Sequence, residues 1–496
     1  MALFATKSIE QIRTEQLGSA EHSLKRVLGP MNLLFLGIGA VIGTGIFVLT
    51  GQAAAANAGP AVVISMIIAG LASALAGLCY SEFASTVPVA GSAYVYAYAT
   101  LGEFIAWVIG WDLILEYALG AATVAVGWSG NLSALLGEFG LQFPAALSAA
   151  PGTLVSMAGG GTVTAVFNLP AVLITIAVTA LLIVGVQESA TVNSVIVVIK
   201  VGVVLLIVAG GAMFIDTSNW HPFIPRNEGT FGAYGWSGVF RGAAVVFFAY
   251  IGFDAVSTSA QEARDPQRDM PRGILGSLAV CTVLYVVVSA VMVGLVPYKA
   301  LLNQPAPMVV AIDAGAVRAA GTAWAGVMHA LRLLVVVGTL AGLSSVMLVM
   351  MLAQPRIFYA MANDGLLPQW ARAIHPRFRT PHVTTIVTGI AVSIAAGFTG
   401  IGTLGSLVSI GTLMAFVIVS IGIIFLRRTR PDLQRPFAVP FVPALPAFSA
   451  IVSLVLMASL PWTTWERLII WMAIGIALYF AYGARHSRLT PKDLRI

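Results

Sequence analysis

Long, unbroken runs of apolar residues dominate this chain and constrain its fold more than any other feature. Each run has about 20 residues, the length that an α-helix needs to cross the hydrocarbon core of a bilayer. Only 9% of the 496 residues are charged, against about 25% in soluble domains. Barrel strands would be short and alternating, so the sequence predicts helices. Twelve spans are expected, near residues 31–57, 60–86, 94–133, 169–186, 192–214, 238–260, 274–296, 329–359, 383–399, 403–426, 439–460 and 467–483.

The distribution of Lys and Arg predicts the orientation of these spans. If both termini are cytoplasmic, 19 of the 26 basic residues fall in inner segments, and six fall in outer segments or at span mouths. Basic residues accumulate on the cytoplasmic side of membrane proteins. The sequence therefore predicts a multi-pass protein of the cytoplasmic (inner) membrane, surrounded by lipid. Its net charge of +6 then requires no nucleic-acid partner.

Two of the predicted spans carry glycine at positions that disfavour a continuous helix. The first has four glycines within residues 37–45, and the sixth has Gly252 followed by Asp254. Small residues at such spacing also allow close helix packing, so packing alone is one interpretation. Breaks in both halves of the chain, however, are typical of transporters with discontinuous helices. A half-helix N-terminus suits an anion and unwound carbonyls suit an ammonium, and an α-amino acid carries both groups.

Several separated motifs follow one another in order between about residue 25 and residue 436. They are the glycine-rich stretch 37–47, PVAGSAY at 88–94, GWDLILEY at 110–117, 247–259 with EARDP at 262–266, and QPRIFYAMA at 354–362 with DGLLP at 364–368. In these motifs the chain resembles the amino acid–polyamine–organocation superfamily of transporters. Within that superfamily it resembles the cationic amino acid transporter family, a group that includes bacterial amino acid permeases.

The resemblance implies an all-α integral membrane protein with twelve transmembrane helices. It also implies secondary active transport of an L-amino acid by alternating access, without a nucleotide, a cofactor or enzymatic chemistry. The implied organisation begins with a cytoplasmic N-terminal tail at 1–30. A core at 31–426 follows, made of two inverted five-helix repeats (about 31–214 and 238–426) with discontinuous helices 1 and 6. Two additional helices at 439–483 and a cytoplasmic C-terminal tail at 484–496 come last.

The resemblance also implies where the substrate would bind. The backbone of Gly43-Thr44-Gly45 would hold the carboxylate, and the ring of Phe248 would cap the site. The amino group would be held by backbone carbonyls near Ile42, Phe248 and Ile251.

Lys200 lies nine residues into the fifth predicted span, among Val and Ile. A charge inside a span is costly and indicates function, although a lysine can also extend to the interface. We expect its ammonium near Gly39 and the hydroxyls of Ser344 or Ser345, where sodium-coupled relatives of the implied fold place a cation. Because burial favours release of the proton from a lysine, proton coupling follows as a hypothesis.

Two carboxylates and one bulky side chain bear on substrate selectivity. Asp254 could contact the substrate or satisfy unwound backbone N–H groups. Glu116 could complement a cationic substrate side chain or bond a neighbouring helix, whereas Asp112 is expected to be structural. Leu343 is bulky, which would reduce the room for arginine and favour smaller amino acids. Cationic and small neutral amino acids both stay open as substrates.

Other functions remain to be weighed against amino acid uptake. An amino acid exchanger would have the same site, whereas a polyamine or amine carrier would not need the Gly43-Thr44-Gly45 turn. A non-transporting amino acid receptor would be expected to carry a soluble signalling domain. The sequence shows no His/Cys/carboxylate cluster that predicts an enzyme or a metal site.

Overall fold

The computed structural model describes residues 3–8, 28–87, 92–156, 161–185, 190–258, 260 and 262–488, so motif residues 88–91 lie outside the described part. Most described residues are helical. Numbered in chain order, the α-helices of six residues or more are α1 Pro30–Val41, α2 Val62–Thr86, α3 Ser92–Thr100, α4 Glu103–Glu138, α5 Leu169–Val184, α6 Ala190–Ala212, α7 Gly235–Val246, α8 Phe253–Thr258, α9 Pro266–Leu295, α10 Pro307–Ala319, α11 Ala325–Asn363, α12 His382–Phe398, α13 Ile401–Thr429, α14 Ala444–Ser459 and α15 Trp462–Leu478.

Among the described residues, seven helical stretches are long and apolar enough to cross a membrane. They are Gly45–Thr86, Glu103–Glu138, Ser194–Ala212, Pro266–Leu295, Ala325–Asn363, Ile401–Thr429 and Trp462–His486. Four shorter apolar helices, α1, α5, α12 and α14, accompany them. The prediction of a helical, multi-pass membrane protein is therefore confirmed, and the count of twelve spans stays a prediction.

The third predicted span, 94–133, is not one helix. It is divided between α3 and α4, and the break falls at Gly102, which has φ +95°. The backbone of Phe4 lies against Gly102, and the N–H of Glu103 donates to the carbonyl of Ala5 at 3.0 Å. Contact with the N-terminal segment 3–8 thus interrupts the helix, and the apolar pattern could not show this contact.

The segments between the long helices contain turns and short 3₁₀ helices. The segment 134–168 also contains an antiparallel hairpin of two three-residue strands, β1 Leu154–Ser156 and β2 Thr162–Thr164, in which Val155 pairs with Val163. This hairpin was not predicted, because three residues are too few for an alternating pattern. The segment 297–328 contains the short helix α10.

An aromatic cluster holds α8 in place against α2 and α13. The ring centroids of Phe253, Tyr80 and Phe416 lie 5.3 to 5.7 Å apart, in edge-on or tilted pairs. Such pairs are favourable beyond the area they bury. The start of α8, directly after the glycine of the sixth predicted span, is therefore fixed by packing with two long helices.

Buried Glu82 connects α2 with the linker between α13 and α14. Its carboxylate accepts two hydrogen bonds from the Arg427 guanidinium, at 2.9 and 2.7 Å, and one from the backbone N–H of Val439 at 2.6 Å. Arg435 Nε lies 3.4 Å from the same carboxylate. A buried carboxylate without such partners is costly, and these bonds anchor the linker to the first half of the chain.

Candidate functional site

The first break separates α1 from the helical stretch that restarts at Gly45. α1 ends at Val41, and Ile42 adopts extended dihedral angles of φ −72° and ψ 102°. A π-helical turn, Gly45–Leu49, follows. The interruption lies within the glycine stretch 37–45, where the sequence predicted it. A restarting helix presents N–H groups without intrahelical partners at its N-terminus.

The second break separates a 3₁₀ turn, Phe247–Tyr250, from α8. Ile251 is extended, with ψ 141°, and Gly252 has φ +111°, a conformation that favours glycine. The N–H of Ile251 donates a hydrogen bond of 3.2 Å to the carbonyl of Phe248, three residues earlier. This interruption also lies at the predicted glycine.

The two breaks are in direct contact. A Cβ built on Gly252 would lie 2.8 Å from the carbonyl oxygen of Ala40, and one built on Gly45 would overlap the backbone of Ala249. Only glycine allows this approach at either position. The structure therefore places the turn predicted to bind the carboxylate beside the carbonyl groups of the second break, which are predicted to accept from the ammonium.

Lys200 of α6 extends to the first break. Its Nζ donates to the carbonyl of Gly39 at 2.7 Å and to the carbonyl of Ile42 at 3.2 Å, and the side chain is buried. Its aliphatic part packs against Gly342 of α11. The ammonium thus satisfies two carbonyls that the end of α1 leaves without intrahelical donors.

The two serines that we expected beside Lys200 bond within their own helix. Ser345 Oγ donates to the Gly342 carbonyl at 3.2 Å. Ser344 Oγ donates to the Leu340 carbonyl at 2.8 Å and accepts from Trp128 Nε1 of α4 at 3.1 Å. Ser344 therefore also connects α11 with α4.

The carboxylates near the breaks have different surroundings. Asp254 Oδ2 accepts a hydrogen bond of 2.9 Å from the hydroxyl of Tyr117, and both side chains are buried. Glu116 and Asp112 of α4 are also buried, and within the described part of the chain none of their carboxylate oxygens has a hydrogen-bond partner. Asp112 packs against Gly411 of α13.

The hydroxyl of Thr44 is a polar group without a partner at the centre of the first break. Thr44 is fully buried, and its Oγ1 makes no hydrogen bond to any residue that the structure describes. A buried hydroxyl without a partner costs free energy. A ligand that accepts a hydrogen bond at this position would remove that cost.

α11 contacts the first break through Val346, and Leu343 and Met347 share that face of the helix. Leu343, Val346 and Met347 of α11 are buried, as are Phe248 and Ile251 of the second break. A Cβ built on Gly43 would lie 3.3 Å from a methyl group of Val346. The site therefore combines backbone polar groups at the breaks with an apolar wall, an arrangement that suits a small zwitterion with an apolar side chain.

Sequence reasoning missed two tyrosines that support the breaks. Tyr117 binds Asp254, and Tyr285 of α9 donates to the carbonyl of Val41, the last residue of α1, at 2.8 Å. A tyrosine within an apolar span carries no local signal of its partner, so only the packing of the helices could identify these two.

The family model described as "Amino acid permease" matches residues 28–479 of the chain. The chain is 46% identical to the methylthioribose transporter of Bacillus subtilis (strain 168), over 98% of this chain and 99% of the relative. It is 44% identical, with the same coverage, to the branched-chain amino acid permease BcaP of that organism. It is 39% identical to the vacuolar cationic amino acid transporter 4 of Arabidopsis thaliana, over 83% of this chain and 65% of the relative.

Proposed function

Because the chain belongs to the amino acid permease family, and is thus a transporter and not an enzyme, we propose that it carries L-amino acids across the cytoplasmic membrane by alternating access. The observation that carries the proposal is the direct contact between two broken helices, together with the unpartnered hydroxyl of Thr44 at the first break. Discontinuous helices at a mid-membrane site are the usual binding device of secondary transporters.

The backbone at the breaks would recognise the two charged groups of the amino acid. The N–H groups at Gly43-Thr44-Gly45 and the Thr44 hydroxyl would donate to the carboxylate. The carbonyls of Ile42 and of the second break would accept from the ammonium. The Ile42 carbonyl already accepts from Lys200, but a carbonyl oxygen has two lone pairs and can accept a second bond.

An apolar, branched side chain is the one that the α11 wall favours. Leu343, Val346 and Met347 offer no charge and no hydrogen-bond donor, and Phe248 would cover the bound molecule. The 44% identity with a branched-chain amino acid permease supports this class. Asp254 would support the second break through Tyr117, and Glu116 would be the carboxylate available to a cationic side chain.

Proton coupling through Lys200 belongs to the same proposal. The ammonium bridges Gly39 and Ile42 on one side of the first break. Loss of its proton would remove two charge-assisted hydrogen bonds from the end of α1. Binding and release of a proton could therefore alter the geometry of the break during the transport cycle.

The proposed architecture has twelve spans, with the two broken helices at corresponding positions of two inverted repeats at about 31–214 and 238–426. Two additional helices at 439–483 would follow. The tails at 1–30 and 484–496 would both lie in the cytoplasm, as the distribution of Lys and Arg predicts.

A thioether sugar is a second candidate substrate, because the relative at 46% identity is a methylthioribose transporter. Methylthioribose has an apolar methylthio group that an apolar wall would accept, but it has no carboxylate or ammonium. The two candidates therefore differ in whether the backbone groups at the breaks must bind charge.

A thermal-shift experiment on the purified protein separates these possibilities, because a ligand that binds the folded state raises Tm by mass action. The twenty amino acids would be compared with methylthioribose, and with isoamylamine and isocaproate, which each retain one charged group of leucine. We expect leucine, isoleucine or valine to raise Tm and the two single-charge analogues not to. Stabilisation by methylthioribose alone would favour the sugar, and stabilisation by isoamylamine would favour an amine carrier.

A further inference from the structure

Tyr285 of α9 connects the two breaks, although it belongs to neither. Its side chain is fully buried, and its hydroxyl donates to the carbonyl of Val41 at 2.8 Å. Its ring lies edge-on to the ring of Tyr250, with a centroid separation of 5.3 Å and an interplanar angle of 66°. Tyr250 is the last residue of the 3₁₀ turn before the second break.

The hydroxyl of Tyr285 satisfies a carbonyl that the first break exposes. Because α1 ends at Val41, its last carbonyls have no intrahelical donors, and lipid supplies none. Lys200 donates to the carbonyls of Gly39 and Ile42, and Tyr285 donates to the one at Val41. Two other helices, α6 and α9, thus hold the end of α1.

The ring of Tyr285 contacts Tyr250, which directly precedes the second break. The Tyr250 hydroxyl donates to the carbonyl of Met66 of α2 at 2.9 Å, so this turn is itself tied to a long helix. Val41, Tyr285, Tyr250 and Met66 therefore form a continuous series of contacts. The series joins α1, α9, the 3₁₀ turn and α2.

We propose that Tyr285 is a positioning residue for the substrate site. It fixes the end of α1 relative to the turn before Ile251, and so sets the separation of the groups that bind the carboxylate and the ammonium. This inference rests on the proposed function, since it assigns to Tyr285 the geometry of that site. A tyrosine that only filled space would contribute to stability without affecting affinity.

The test is Tyr285→Phe, which removes one oxygen and keeps the ring. Its matched control is Tyr234→Phe. The Tyr234 side chain is also buried, and its hydroxyl donates to the carbonyl of Ala55, in the helical stretch that begins at Gly45 but away from the break. Affinity for the best-binding amino acid would be measured on folded, monodisperse protein below its Tm. We expect Tyr285→Phe to weaken binding about 10-fold, as loss of a buried hydrogen bond at a site does, and Tyr234→Phe to retain wild-type affinity.

Wild-type affinity in Tyr285→Phe would overturn the inference, whatever the change in Tm. If Tyr285→Phe does not fold, Tyr250→Leu serves as the second variant, since it interrupts the series at Tyr250, removing the ring contact and the bond to Met66, and keeps the bond to Val41. Weakened binding in Tyr250→Leu supports the inference, and unchanged binding contradicts it. If the wild type binds no amino acid, the proposed function fails and this inference fails with it, whereas a binding wild type with an unaffected Tyr285→Phe overturns the inference alone.

Discussion

Lys200 is a buried charge that also donates to unpaired carbonyls at the end of the broken helix α1. A buried ammonium without partners is expensive, and so are carbonyls left without donors at a helix end. Placing the Nζ 2.7 Å from the Gly39 carbonyl and 3.2 Å from the Ile42 carbonyl addresses both costs. The same contacts would be lost if the lysine released its proton and turned away, which is why Lys200 is the proposed proton carrier.

Replacement of Lys200 by arginine and by alanine should separate a proton carrier from a permanent brace. Arginine keeps its proton under all relevant conditions. In proteoliposomes, Lys200→Arg should therefore lose pH-driven accumulation of the amino acid and acidification of the lumen, and Lys200→Ala should lose both as well. A thermal shift with the same amino acid would show which variants still bind. Robust pH-driven accumulation by Lys200→Arg would exclude Lys200 as the carrier and leave Glu116 or Asp254 as the next candidate.

At the residue scale, the sequence shows which intramembrane charged residues are functional candidates better than it shows which side chains form hydrogen bonds at the breaks. Lys200 is conspicuous because it interrupts a run of Val and Ile, and its approach to Gly39 follows from the resemblance. Tyr117 and Tyr285 are not conspicuous, because tyrosine is common in spans and its hydroxyl partner depends on how the helices pack. The bonds of Ser344 and Ser345 to carbonyls of α11 likewise depend on local rotamers.

The broken helices are the elements on which the account depends, and their contact is closest where Gly45 meets Ala249. At Gly45 there is no room for a side chain, whereas a Cβ at Gly43 would lie 3.3 Å from a Val346 methyl group. Gly202 of α6 offers a contrast, since a Cβ there would meet no atom within 4 Å. The three glycines therefore form a graded series.

Alanine substitutions along this series should affect amino acid binding in the order Gly45, Gly43, Gly202. Overpacking costs about 1–3 kcal/mol, so Gly45→Ala should weaken binding by about 5- to 100-fold. Gly202→Ala should leave binding unchanged and stabilise α6 slightly, since alanine favours helix by about 1 kcal/mol over glycine. Isothermal titration calorimetry on each folded variant measures the effect. Equal affinities in Gly45→Ala and Gly202→Ala would show that the contact of the two breaks does not form the site.

At the element scale, helix interruptions caused by local sequence were predictable and those caused by distant contacts were not. The four glycines at 37–45 and Gly252 predicted both breaks, because glycine disfavours helix and the two sites occur in corresponding halves of the chain. Gly102 gave no such prediction, since its break depends on the backbone of Phe4, almost 100 residues away in sequence. The hairpin at 154–164 was missed because its strands are too short to show a period.

At the scale of the molecule, both terminal segments pack against the same end of the helical body. Lys7 forms an ion pair of 2.7 Å with Asp364, which also accepts a hydrogen bond from Tyr94 at 2.6 Å. Ser487 donates to Glu103 at the start of α4. The described end segments, 3–8 and 484–488, therefore lie on one side, and the predicted topology with both ends in the cytoplasm requires such an arrangement.

Cysteine labelling tests this topology directly. In a background free of Cys79 and Cys281, an impermeant reagent added outside intact cells should label Thr230→Cys and should not label Gln434→Cys. Both side chains are exposed in the structure, so access to the reagent depends only on the side of the membrane. Labelling of Gln434→Cys from outside would contradict the orientation with both termini inside.

The most direct test of the account is uptake of a radiolabelled branched-chain amino acid by proteoliposomes that contain the purified protein. With an inward proton gradient, we predict accumulation above the external concentration, abolition of accumulation by a protonophore, and loss of uptake in Gly45→Ala but not in Gly202→Ala. If no amino acid is taken up under these conditions, although the reconstituted protein is folded, the account of this chain as an amino acid transporter is contradicted.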